Sequence, residues 1–184
     1  MFGYSNKIRF ILVAILALFF TGCDSFARVD YMVVNGSKYA AREPLTKGLK
    51  NNISVINVSS LKNNYPIGIS EIGDTQFKIA LEKSLLEASL LNAIPKYSEF
   101  HLSAKLLEVE QPGISLDFTV SASVQYELVE TSSGAVVYSE KITKPYTSYM
   151  KDSFVSFERL RFANEGAAKA NIEEVIKRLY NIKI

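Results

Sequence analysis

The chain has 184 residues, with 21 Lys and Arg against 19 Asp and Glu, one histidine and one cysteine. A single histidine excludes a His-based metal cluster, and a single cysteine excludes an internal disulfide and a Cys-rich zinc site. Two of the cations, Lys7 and Arg9, lie in residues 1–22, which hold no acid, so the rest is balanced at 19 against 19. The slight overall basicity therefore gives no reason to expect a nucleic-acid partner.

Met1 to Arg9 is a short start carrying those two cations, and Phe10 to Phe20 is an eleven-residue apolar run, FILVAILALFF. That length suits the core of a signal peptide and falls short of the roughly 20 residues a spanning helix needs. The run ends in Phe19-Phe20-Thr21-Gly22-Cys23, where the only cysteine follows a small residue. The stretch resembles the lipobox of bacterial lipoproteins; the competing reading is an uncleaved amphipathic start with a chance cysteine. The resemblance implies removal of residues 1–22, acylation of Cys23 by two or three chains of the palmitate kind, and attachment to a bacterial membrane on its periplasmic side. One chain binds marginally and reversibly, so two or three make a lasting anchor. Asp24 is the sorting position: in enteric lipoproteins an aspartate there favours inner-membrane retention, and elsewhere inner versus outer membrane stays open. With Cys23 acylated no thiol is left, and about 160 residues must hold together through an ordinary core.

Residues 23–52 read as a tether, because AREPLTKGLKNN is polar and without sustained periodicity. Tyr31-Met32-Val33-Val34 before Asn35-Gly36 is the local exception and suggests a small strand or hairpin. A single α+β domain is expected over 53–184. Ile53 to Val58 is β-branched and roughly alternating, a strand pattern, and residues 61–74 read as a loop. Asp74 or Thr75 can cap a helix reaching about Asn92. Phe77, Ala80, Leu81, Ser84, Leu85, Ala88 and Leu91 share one side of it. Ile79, Leu86 and Leu90 fall on the opposite side. That second face is either covered by the tether or the 61–74 loop, or offered to a partner or a lipid.

Phe100 to Leu106 alternates and then changes phase at Leu107-Glu108-Val109, as a bulge would make it do. After the Pro112-Gly113 turn, Ile114 to Leu128 alternates without a break, so one face is buried and one wet, the mark of an antiparallel sheet. Thr131 to Gly134 closes another hairpin, and Val136 to Thr143 returns as a strand. Residues 145–162 hold Tyr146, Tyr149, Phe154, Phe157 and Phe162. These rings either close one end of the sheet or form an exposed lip for acyl chains or a protein. A terminal helix from Phe154 or Leu160 to Tyr180 carries Ala168, Ile172, Val175, Leu179 and Ile182 as a stripe, with Gly166 marking close packing. The predicted architecture is two-layer: an antiparallel sheet in the order β-α-β-β-β-α, with both helices on one face.

No residue set points to catalysis. His101 lies on the polar phase of a strand. Glu108, Glu110 and Asp117 gather near the Pro112-Gly113 turn, where carboxylates are either solvated or able to do acid–base work or bind a cation. Glu158 to Arg161 reads as a charged helix start, and no cofactor is expected. The helix Gln76 to Leu91, the strand Leu116 to Leu128 and the run from Glu158 to Ile172 resemble a family of small uncharacterised proteobacterial lipoproteins, some labelled acyltransferases. More loosely, the element order is similar to small α+β modules of envelope lipoproteins and of the TolB amino-terminal domain. The resemblance implies a non-catalytic binding or assembly module of the cell envelope. A lipid or glycolipid carrier or transport auxiliary is the alternative, and an acyltransferase-type enzyme a third. Tyr146, Tyr149, Phe154, Phe157, Ile79, Leu86 and Leu90 are the expected partner surface.

Overall fold

A computed structural model describes residues 26–60, 71–92 and 94–184. Cys23, Asp24, the apolar leader and most of the 61–74 loop lie outside the described residues. Four strands form one sheet in the order β1-β2-β3-β4: β1 Ile53–Ser60, β2 Phe100–Glu110, β3 Phe118–Glu130 and β4 Val136–Ser148. Two helices complete the α+β fold, α1 Asp74–Glu87 between β1 and β2, and α2 Ser156–Asn181 at the end. The expected two-layer α+β arrangement is what the chain adopts.

The body of the sheet is an antiparallel meander, β2 to β4, and β1 joins β2 in parallel with Ile53 opposite Phe100. The parallel pair follows from chain order: α1 returns the chain to the starting end of β1, so β2 must run the same way. Between Leu106 and Glu108 the register slips against Val124 and Ser123, leaving Leu107 as the extra residue where the alternation changed phase. Alternate residues of β2 and β3 (Leu102, Ala104, Val120, Ala122, Val124, Tyr126, Leu128) are buried beneath the helices. The opposite face is wet and laced by cross-strand hydroxyl bonds, Thr119 to Thr147 at 2.9 Å and Ser123 to Thr143 at 2.7 Å.

Three strand and helix limits differ from the sequence reading. Ile114 and Leu116 alternate with their neighbours but stand exposed outside β3, since β2 has ended at Glu110 and β4 at Ser148 and no strand among the described residues is left to pair with them. β4 runs past Thr143 through Pro145, which an edge strand tolerates because a missing N–H there need deprive no neighbour. α1 ends at Glu87, because Ser89 takes a left-handed conformation (φ 54°) and turns the chain inward, its carbonyl accepting from Asn51 N–H at 2.9 Å.

The largest difference is the segment read as a tether. Ala27, Met32, Val34, Tyr39 and Leu49 are all buried in the core. Tyr31 to Val34 is no strand: Val29–Met32 and Ser37–Ala40 are single helical turns, the second opened by Asn35 Oδ1 accepting from Ser37 N–H at 3.1 Å. The segment lies along the seam of the helices. Val34 N–H donates to Ser84 Oγ on α1 at 2.9 Å, while Leu45 N–H donates to Tyr180 O and Thr46 Oγ1 to Ile182 O. Its partners are up to 138 residues away in sequence, which is why local pattern did not reveal them. Among the described residues no helix is long and apolar enough to cross a membrane.

Candidate functional site

The site grows from one glycine. On β4 the even-numbered residues from Tyr138 onward face the helix layer, so Tyr146 lies across α2 at Gly166. A Cβ at Gly166 would stand 2.2 Å from the Tyr146 ring, a distance no side chain can occupy. Gly166 is therefore the seat of Tyr146, and the close packing its presence suggested is real.

The facing wall is Tyr31, presented by the Val29–Met32 turn and held there by Arg28. The Arg28 backbone N–H and Nε both donate to Glu165 Oε1, at 2.9 and 2.8 Å, and Nη2 donates to Oε2 at 3.0 Å. Glu165 is buried, and its hydrogen bonds hold the Arg28 guanidinium pKa above its ordinary value. Arg28 Cζ stacks 3.6 Å from the Tyr31 ring and 5.6 Å from that of Phe162. Phe162, Gly166, Lys169, Ala170 and Glu173, spaced three and four apart on one face of α2, make the floor, with Asp152 on the rim. The groove measures about 470 Å³. A second depression of about 460 Å³ lies on the other side of Tyr146, lined by Thr147, Tyr149 and Lys151 among others.

The residues expected as one partner surface separate into three groups. Tyr146 and Tyr149 share the second depression, and Tyr146 also lines the groove. Phe154 is 87% exposed on the turn before α2, and Phe157 is half-buried in the first turn of that helix. Ile79 and Leu86 are exposed on α1, so the N-terminal segment does not cover them fully, and most of the 61–74 loop lies outside the described residues. Leu90 is completely buried and is corrected out of the surface. It follows the end of α1, and its carbonyl accepts from Ile53 N–H at 3.0 Å, inside the core.

The carboxylates do separate jobs. Asp117 accepts Met150 N–H at 2.9 Å and so ties two loops together, while Glu108 and Glu110 stand exposed on β2. Among the described residues no group of three or more His, Cys, Asp or Glu is placed to hold a metal ion. The charged start read at Glu158 to Arg161 is only partly solvated. Arg159 is buried, its Nη1 donating to Ser153 O at 2.6 Å and its Cζ 5.5 Å from the Phe118 ring. Arg28, Tyr31, Glu165 and Lys169 were missed in sequence, and the glycine inside a helix was the one visible trace of them.

No protein-family model matches the sequence, and no curated protein matches it. Among solved structures, a DUF330 family protein from Xanthomonas campestris superposes with a TM-score of 0.52 at 13% identity, covering 69% of this chain and 81% of that one. A candidate lipoprotein from Caulobacter crescentus gives 0.48 at 14% identity, over 78% of this chain and 93% of the other. PelC of Paraburkholderia phytofirmans, a dodecamer, gives 0.48 at 16%, over 77% and 96%. At 13% identity the Xanthomonas likeness is one of fold alone.

Proposed function

We propose that this chain is a lipid-anchored bacterial lipoprotein, facing the periplasm, whose domain is a non-catalytic binding or assembly module of the cell envelope. The observation that carries the anchor is Cys23, the only cysteine, closing an eleven-residue apolar run behind Gly22. The groove between Tyr31 and Tyr146 is the docking site. Its lining suits a polypeptide segment: three rings offer apolar area, while Lys169, Glu173 and Asp152 offer charges that a bare acyl chain would bury without compensation. A second reading, a lipid or glycolipid carrier, draws support from the depression where Tyr146 and Tyr149 flank Thr147 and Lys151, a setting in which a headgroup can stack and bond. Glu108 stands exposed on β2 and Asp117 is engaged by Met150 N–H, so among the described residues these two carboxylates lend the acyltransferase reading no support.

Three measurements test the reading. Metabolic labelling with a palmitate analogue is expected to mark the wild type and not Cys23→Ser. A photo-crosslinking residue at Tyr31, in the lipidated protein in its own membranes, is expected to trap a discrete protein that Lys169→Glu no longer traps. Native mass spectrometry showing a stoichiometric lipid on the Cys23→Ser chain, with no trapped protein, would overturn the docking role in favour of the carrier.

A further inference from the structure

The topology places several loops at one end of the domain. β2 ends there at Glu110, β3 begins there at Phe118, β4 ends there at Ser148 and α2 starts there at Ser156. α1 also starts at this end, and just before it Ala27 N–H donates to Glu71 O at 2.9 Å. The described chain therefore begins, at Phe26, at the same end as the 111–117 and 149–155 loops. Tyr31, Tyr146 and Asp152, which line one groove, join the N-terminal segment to the second of these loops.

These loops present apolar side chains to water. Ile114 is fully exposed, Leu116 is 70% exposed and Phe154 87%, with Met150 and Val155 about half exposed. They are also braced. Asp117 accepts Met150 N–H, Asp152 Oδ2 accepts Tyr149 N–H at 2.8 Å, and buried Arg159 holds Ser153 O from below. Rigid loops that keep large apolar groups in solvent mark a contact surface. The far end also exposes Leu45, Ile94, Tyr97 and Val136, so exposure alone does not choose between the ends. The point where the chain enters does. Three residues lead from Cys23 to Phe26, and at the greatest extension of a chain they span about 10 Å.

We infer that this end of the domain rests on the bilayer that holds Cys23, with Ile114, Leu116, Met150, Phe154 and Val155 entering its interfacial layer. The occupant is the lipid surface itself. Lys151 and Asp152 share the 149–155 loop, and Asp117 is bonded to that loop at Met150 N–H, so the charges are of both signs, and contact needs no anionic lipid. The inference rests on acylation of Cys23, and the experiment keeps the two separable.

The full lipidated protein, carrying Leu116→Cys or Phe154→Cys in separate preparations, is labelled with a fluorophore that lipid-borne nitroxides quench. Tyr97→Cys and Val136→Cys report the far end. Each is reconstituted in vesicles of phosphatidylethanolamine with or without phosphatidylglycerol, and the mass of the N-terminal peptide establishes the acyl chains. The expected result is at least threefold stronger quenching at 116 and 154 than at 97 and 136, unchanged by phosphatidylglycerol. Acylated protein with equal quenching at both ends, or stronger at 97 and 136, overturns the inference and leaves the anchor standing. An unacylated Cys23 overturns both.

Discussion

The two halves of α2 are built from different material. From Ile172 onward it buries Ile172, Val175, Ile176 and Leu179, and apolar burial is the main source of its position, with the Tyr180 hydroxyl donating to Ala88 O as the buried polar contact of that half. Before that it buries Arg159, Asn164, Glu165 and Asn171, four polar side chains in one helix. Each is met by a specific partner. Gln111 Nε2 donates to Asn164 Oδ1 at 2.9 Å, Arg28 grips Glu165, and Asn171 Nδ2 donates to the carbonyls of Ala122 and Ile142 at 2.9 Å each. Tyr126 Oη closes the set by donating to Asn171 Oδ1 at 3.0 Å. One half contributes stability that any well-packed apolar residue could supply. The other contributes position, because a buried polar group is tolerable only where its partner stands. The groove lies on the second kind.

That contrast can be broken in order of expected effect. Leu179→Ala should cost about 3 kcal/mol of global stability by urea unfolding, with the transition still single. Glu165→Ala should cost about 2 kcal/mol, because it takes the carboxylate from Arg28 and removes the charge 3.9 Å from the buried Arg161 Nε. Its signature differs: residues 26–45 should become open to protease and hydrogen exchange before the sheet does. If both variants unfold in the same way, the two halves are equivalent and the contrast is wrong. Gly166→Ala should cost about 1–2 kcal/mol by displacing Tyr146, and Tyr146→Ser in the same chain should recover most of it, a coupling measurable in a double-mutant cycle.

Tyr126→Phe should cost about 1 kcal/mol, leaving Asn171 Oδ1 without its donor. The smallest effect is at the edge. Lys144 Nζ bonds Glu174 at 2.9 Å and holds its carboxyl below the ordinary value of 4.5. A carboxyl depressed in the folded state contributes stability above its unfolded pKa and loses it as pH falls through the folded one. Glu174→Gln should therefore cost at most about 1 kcal/mol at neutral pH. The gap to wild type should begin to close near pH 4.5 and vanish in more acid solution.

The meander was legible because its physics is local. Val120 to Leu128 alternate along a single strand, the phase change at Leu107 stands in plain sequence, and Gly134 (φ 70°) sits where the hairpin needs a left-handed residue. The parallel seat of β1 was not, since nothing in Ile53 to Ser60 encodes the direction of a neighbour 47 residues on. The groove was half-legible. Tyr146 and Gly166 drew notice separately, but only the register of β4 against β3 and the packing of α2 make them touch. Arg28 and Glu165 are ordinary charged residues in sequence and become a built pair only across 137 residues.

The stitching between residues 26–52 and α2 also sets the order of events in synthesis. Arg28, Lys38, Leu45 and Thr46 find their partners at Glu165, Glu173, Tyr180 and Ile182. A chain emerging amino end first holds its opening segment idle until the last helix is made, on the order of ten seconds at ordinary elongation rates. β1 waits likewise for β2. Until α2 is made, residues 26–52 lack the partners that hold them against the core. The seam between the two ends of the chain therefore closes late, after the strands of the meander have all been made.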